Sequence, residues 1–156
     1  MYDKILFLDI DGVLNSVNFT IRLESPWNRR DMDPETVKHL QRIVDETGCG
    51  IVISSTWRML YDLGELKNML IAAGMISCPV FDVTPRLGHS GRIRGEEIEK
   101  WFHQNDFLGF DANVTKYVCL DDDSDFIGYQ PLVMVDNLIG LTSNHADKCI
   151  EILNKI

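Results

Sequence analysis

No apolar run in this chain approaches the roughly 20 residues that a bilayer-spanning helix needs, which argues against a membrane protein. The N-terminus lacks the charged, apolar and small-residue order of a secretion signal, so the expected location is the cytoplasm. Positive charge is scarce: 15 Lys and Arg stand against 24 Asp and Glu, for a net charge of -9. That balance disfavours a protein that holds long nucleic acid by general electrostatics, although it leaves room for a small basic patch. There is no Cys-x-x-Cys. Cys49, Cys78, Cys119 and Cys149 lie far apart, each in or beside an apolar segment, so buried unpaired thiols are expected and a zinc site is not. Internal repeats and low-complexity segments are also missing. The remainder, 45% hydrophobic and 25% charged over 156 residues, has the make-up of one ordinary globular domain with a proper core, residues 1–156.

The most informative stretch runs from Lys4 to Asn15. Ile5 to Leu8 form an apolar run with the length of a buried parallel strand. It ends in two carboxylates, Asp9 and Asp11, followed by Gly12, the residue that lets a backbone turn tightly. Open parallel sheets place their ligand sites beyond the carboxyl ends of their strands. Read blandly, the same residues are only a polar strand end and a turn.

Downstream, residues 16–32 contain Pro26 and Trp27 and are expected to form a short hairpin or flap. Asp33 suits a helix N-cap and Pro34 the first helical position; Val37, Leu40, Ile43 and Val44 recur at helical spacing, and Gly48 closes the helix. A second buried strand, Gly50 to Ile53, leads into Ser54-Ser55-Thr56-Trp57-Arg58. A helix is expected over 60–73 with Leu63, Leu66, Leu70 and Ile71 apolar, then a short strand near Val80 to Val83 and a loop over 84–92. Another helix over 95–103 puts Ile98, Trp101 and Phe102 inward. Tyr117 to Leu120 form a strand ending in Asp121-Asp122-Asp123-Ser124-Asp125, Pro131 to Val135 a fifth strand, and 141–156 the last helix with Ile150 and Leu153 inward. Strands alternating with helices predict an α/β fold: a three-layer, Rossmann-like parallel sheet with helices on both faces.

In such a sheet three strand ends meet at one edge, carrying Asp9 and Asp11, Ser54 and Ser55, and Asp121 and Asp122. Converging carboxylates raise one another's pKa and oppose folding unless a cation joins them, and carboxylate oxygens are what Mg²⁺ takes. A calcium EF-hand does not fit: a loop starting at Asp121 has Phe126 where Gly is required and Leu132 where Glu is required, and one starting at Asp123 puts Ile127 and Met134 at ligand positions. His39, His89, His103 and His145 show no metal spacing.

These motifs resemble the haloacid dehalogenase-like (HAD) phosphohydrolases. Asp9-Ile10-Asp11-Gly12-Val13-Leu14-Asn15 is similar to their first motif, Ile51-Val52-Ile53-Ser54 to the second, Arg94-Gly95-Glu96-Glu97-Ile98 stands at the third, and Leu120-Asp121-Asp122 is similar to the fourth. The likeness is greatest to the HAD domain of Swiss-army-knife RNA repair proteins, through Ser54 to Arg58, Arg94 to Ile98 with Trp101, and Gly140-Leu141-Thr142. The acid cluster at Asp121 to Asp125 is also similar to that of small 5′-deoxyribonucleotidases. The resemblance implies Asp9 as a nucleophile that becomes an aspartyl phosphate and Asp11 as general acid and base. It implies Ser54 as a hydrogen-bond donor to the phosphoryl group, aided by Ser55, and Arg94 as its counter-charge, with Arg92 and Lys100 as reserves. It also implies Mg²⁺ held by Asp9, the Asp11 backbone carbonyl, Asp121 and Asp122. The third-motif residue is usually Lys, so Arg94 is a departure. Two plainer readings stand beside these: Ser54 as the cap of the next helix, and Arg94 as a solvated helix-start residue.

No segment is long enough for a full cap domain. An uncapped mouth suits a compact phosphorylated ligand, with Gly12 and Ser55 beside the site as substrate contacts. In the flap, Arg22, Arg29 and Arg30 stand among Phe19 and Trp27, which reads either as the mixture of charge and stacking surface that a nucleotide or strand end uses or as a solvated loop whose Trp27 covers the core. The expected activity is a Mg²⁺-dependent phosphatase acting on a phosphomonoester. The alternatives are an end-processing phosphatase of nucleic-acid repair and a non-catalytic phosphate- or partner-binding module.

Overall fold

The computed structural model describes residues 2–23, 31–88 and 93–155. Its elements are β1 (Lys4–Leu8), α1 (Val17–Thr20), α2 (Pro34–Thr47), β2 (Gly50–Ile53), α3 (Leu63–Ala72), β3 (Val80–Val83), α4 (Arg94–Asn105), β4 (Lys116–Asp121), β5 (Leu132–Met134) and α5 (Ser143–Asn154). The strands form one sheet in the order β3-β2-β1-β4-β5, and every pairing is parallel. The chain leaves β1 toward β2 on one side and later returns to β4 on the other. The switch point therefore lies at β1, where ligand sites of such sheets form.

Strand alternation divides the core in two. Leu6 and Leu8 of β1 join Ile51, Ile53, Val118 and Leu120 on the face covered by α2, α3 and α5. Ile5 and Phe7 join Val52, Tyr117 and Cys119 under Ile98, Trp101 and Phe102 of α4. Phe7 meets Trp101, Phe102 and Tyr117 edge-to-face, a geometry that aromatic rings favour. The Trp101 indole N–H donates to Asp82 Oδ2 at 2.7 Å, so burial leaves no donor unpaired there. The expected three-layer α/β sheet is what forms.

Several boundaries differ from those expected. Residues 56–59 form a short 3-10 turn capped by Ser55, and α3 starts at Leu63 rather than at 60 because Asp62 and Glu65 close a capping box. Ile71 faces solvent, and burial on α3 falls to Leu66 and Leu70. The expected flap opens with a short helix, α1, whose cap Ser16 is buried, rather than with a hairpin strand. Pro26, Trp27, Arg29, Arg30, His89 and Arg92 lie outside the described residues. The α2 caps are as read: Asp33 Oδ1 accepts from Glu35 N–H, and Gly48 takes the left-handed conformation. Cys49, Cys119 and Cys149 are buried unpaired thiols, while Cys78 is half-buried.

Candidate active site

Parallel pairing sets the C-terminal ends of β2, β1 and β4 side by side. The ladder continues one step past the strands: Ser54 N–H donates to the Leu8 carbonyl at 2.9 Å and Asp9 N–H to the Leu120 carbonyl at 3.0 Å. Asp9, Ser54 and Asp121 thus sit on adjacent strand ends, and all three are buried. Asp9, Asp121 and Asp122 each offer a carboxylate oxygen, and these oxygens lie within 4.8 Å of one another.

Arg94, at the start of α4, reaches into this cluster. Its Nη1 lies 3.5 Å from Asp9 Oδ1 and its Nε 3.4 Å from Asp121 Oδ2, and Nη1 also donates to the Ser54 carbonyl. The guanidinium is largely buried, so Arg94 is not a solvated helix-start residue. Lys100 is exposed further along the helix. Asp125 anchors the start of α4, accepting from Arg94 N–H at Oδ2 (3.0 Å) and from Gly95 N–H at its own carbonyl (3.1 Å). Gly95 lets this loop approach, because a Cβ there would lie 2.4 Å from Gln130 Oε1.

One cation cannot balance this many acids. Burial pushes the Asp9 carboxyl up to about 6, with Arg94 pulling it down. Burial, and then the Asp9 charge, push Asp121 up to about 8, again against Arg94. Asp121 Oδ2 is buried and accepts no hydrogen bond. An all-oxygen donor set with a buried carboxylate oxygen that accepts no hydrogen bond fits a hard divalent cation such as Mg²⁺, with Asp9, Asp121 and Asp122 to hold it.

The Asp11 side chain lies outside that cluster. Asn15 Nδ2 donates to Asp11 Oδ1 at 2.9 Å while Asn15 Oδ1 accepts from Gly12 N–H, so Asn15 braces both the acid and the turn. Gly12 has φ +78, and a Cβ on it would lie 2.3 Å from Asp122 Oδ2. Only glycine lets this turn and that carboxylate pack together. Ser55, not Ser54, caps the following 3-10 turn, through its hydroxyl and Trp57 N–H at 3.3 Å, and its side chain also hydrogen-bonds Asp9.

Arg58, Glu97, Asn15 and Asp125 complete the surroundings, although sequence reasoning gave none of them a role. Arg58 and Asp125 stood in plain sight within the Ser54-to-Arg58 and Asp121-to-Asp125 stretches, but their partners are 39 and 31 residues away along the chain. No sequence spacing reveals such pairs. Burial lowers the Arg58 pKa, and the adjacent Glu97 carboxylate opposes that shift.

No curated protein and no solved structure matches this chain. A family model described as the HAD domain in Swiss Army Knife RNA repair proteins matches residues 5–146. That match spans β1 through the first turn of α5 and takes in every strand end just described, and on it the chain belongs to the HAD domain family of Swiss Army Knife RNA repair proteins.

Proposed function

We propose that this protein is a Mg²⁺-dependent phosphatase that cleaves phosphomonoesters through an aspartyl phosphate on Asp9. The observation that carries this is the convergence of Asp9, Asp121, Asp122 and Arg94 at one sheet edge. Asp9 attacks phosphorus as a carboxylate; with a pKa of about 6 it is ionised at neutral pH. The ester P–O bond breaks, and the Asp11 carboxyl gives its proton to the leaving oxygen. Water then attacks the aspartyl phosphate while Asp11, now a carboxylate, takes the water's proton; inorganic phosphate leaves and Asp9 is regenerated. Asn15 holds Asp11 in place for both transfers. Arg94 faces the charge that builds on the transferring group, with Ser54 and Ser55 as neighbouring donors and Gly12 leaving room beside them. Bound Mg²⁺ supplies electrostatic stabilisation of the phosphoryl oxygens, and Asp9, Asp121, Asp122 and the Asp11 carbonyl would hold it.

The family description favours a phosphorylated RNA end or a nucleotide as substrate. Arg22 is exposed just after α1, and Arg29 and Arg30 follow it in sequence. Purified protein with Mg²⁺ should hydrolyse end-phosphorylated oligonucleotides or nucleoside monophosphates faster than sugar phosphates, and Asp9→Asn should hydrolyse none of them. Arg29→Ala with Arg30→Ala should weaken nucleotide substrates and spare a small generic ester. Turnover by Asp9→Asn near the wild-type rate would remove the covalent mechanism. A wild type that turns over no ester would count for the non-catalytic phosphate- or partner-binding alternative.

A further inference from the structure

The deepest charged side chain near the site that the mechanism leaves unused is Arg58, 4% exposed. Its Nη1 donates to the Ser54 carbonyl at 2.9 Å and the Ser55 carbonyl at 2.7 Å; its Nε donates to the Thr84 carbonyl at 2.9 Å. Its Nη2 pairs with Glu97 Oε2 at 2.7 Å, and Glu97 is itself 15% exposed. One guanidinium therefore ties together the end of β2, the end of β3 and the first turn of α4. The Glu97 Oε1 atom accepts from Leu87 N–H at 3.4 Å, which adds the β3–α4 loop to the same tie.

Two features connect this tie to the reacting groups. First, the Ser54 carbonyl accepts from both Arg58 and Arg94. A peptide unit is planar, so fixing that carbonyl also fixes the direction of the Ser55 N–H. Second, Glu97 lies one turn from Arg94 on α4, so anchoring Glu97 sets how far the Arg94 guanidinium reaches toward Asp9 and Asp121. A buried ion pair is weak evidence for stability, since apolar residues often replace one without loss. A fork that grips three carbonyls around a catalytic cluster is better explained by alignment.

We propose that Arg58, braced by Glu97, is a positioning residue of the phosphoryl-transfer site: it aligns the Ser54–Ser55 peptide and sets the reach of Arg94. This rests on the phosphatase reading above. Lys cannot reproduce the fork, because an ammonium is a point charge on a flexible stem. A displacement of about 1 Å costs on the order of 100-fold in rate, so Arg58→Lys should lower kcat by roughly that factor and leave KM within about three-fold. Glu97→Gln, which keeps the shape and a hydrogen-bonding oxygen, should lower kcat by about ten-fold by the same argument.

The test measures kcat and KM for p-nitrophenyl phosphate with Mg²⁺, together with the thermal midpoint, for wild type, Asp9→Asn, Arg58→Lys, Glu97→Gln, Arg94→Ala and the Arg58→Lys/Arg94→Ala double variant. Alignment of Arg94 predicts that Arg58→Lys costs much less kcat in the Arg94→Ala background than in the wild type. If Arg58→Lys does not fold, Glu97→Gln decides. The inference is overturned by kcat near wild type in the folded variants, by additive losses in the double variant, or by a kcat loss that only follows a fallen midpoint. A wild type as silent as Asp9→Asn overturns the phosphatase reading and this inference with it; an active wild type with unaffected variants overturns the inference alone.

Discussion

The metal-free protein should lose stability as pH rises from about 6.5 to about 8, where most proteins change little, and the interacting Asp9 and Asp121 carboxyls are the cause, with the higher step placed on Asp121. Its ordinary pKa of 3.8 is pushed to about 8 in the fold, by burial first and by the Asp9 charge next. Between those two values the native state keeps a proton that the unfolded chain has lost. Stability then falls with pH at about 1.4 kcal/mol per unit. The interval carries about 2 kcal/mol, or a midpoint lower by roughly 4–8 °C for a chain of this size. Asp9, raised only to about 6, acts in the same direction at lower pH. His145, lowered by burial and by the Lys148 charge, acts in the opposite direction below its ordinary 6.5. The Cys49, Cys119 and Cys149 thiols, all raised by burial, enter only in alkali. The chosen interval therefore isolates the upper titration step of the interacting Asp9 and Asp121 carboxyls. The assay is a thermal melt followed by the fluorescence of buried Trp57 and Trp101, in EDTA and in Mg²⁺, across this range. Mg²⁺ should remove the slope and raise the midpoint, since a ligand that binds only the native state adds about 2.7 kcal/mol at a hundred times its dissociation constant. Asp121→Asn should melt with little slope in EDTA and respond weakly to Mg²⁺. An EDTA midpoint that stays level or climbs through the interval, with no response to millimolar Mg²⁺, would mean that no buried carboxyl pair is waiting for a cation here.

Asp11→Asn should slow turnover by about 10²–10⁴-fold, the usual contribution of a general acid-base group, while its effect on Mg²⁺ titration of the melting midpoint stays small. Equal losses of metal response and turnover would instead make the Asp11 side chain a ligand. Gly12→Ala should cost about 1–2 kcal/mol for the left-handed backbone alone, and should also blunt the Mg²⁺ response by displacing Asp122. A variant with an unchanged melt and an unchanged Mg²⁺ response would show that the turn yields without moving that carboxylate.

Much of the fold was legible because its signals are local. Ile5 to Leu8 read as a buried strand from their own composition, and Asp33, Pro34 and Gly48 marked both ends of α2. The strand-end acids were legible for the same reason: the parallel ladder turns positions in sequence into neighbours at one edge. The start of α3 was misplaced because Leu60 is apolar, yet it lies in solvent after the 3-10 turn, and the box at Asp62 and Glu65 decides the boundary. The scaffold behind the site was not legible. Arg58 with Glu97, and Asp125 with Arg94, are pairs that only the crossovers from β2 to α4 and from β4 back to α4 bring together. Reading Asp121 to Asp125 as a single acid cluster concealed a division of labour. Asp121 and Asp122 face the site, while Asp125 holds the helix that carries Arg94.

The proposed mechanism turns on a covalent phosphoryl group on Asp9, which reductive trapping detects. Protein turning over a phosphomonoester with Mg²⁺ is quenched and treated with borohydride, which reduces an acyl phosphate to the alcohol, and the peptide containing residue 9 is sequenced by mass spectrometry. Homoserine at position 9 is expected, dependent on substrate and absent from Asp9→Asn. An unmodified Asp9 in protein that is demonstrably turning over, or homoserine at another aspartate, would contradict it.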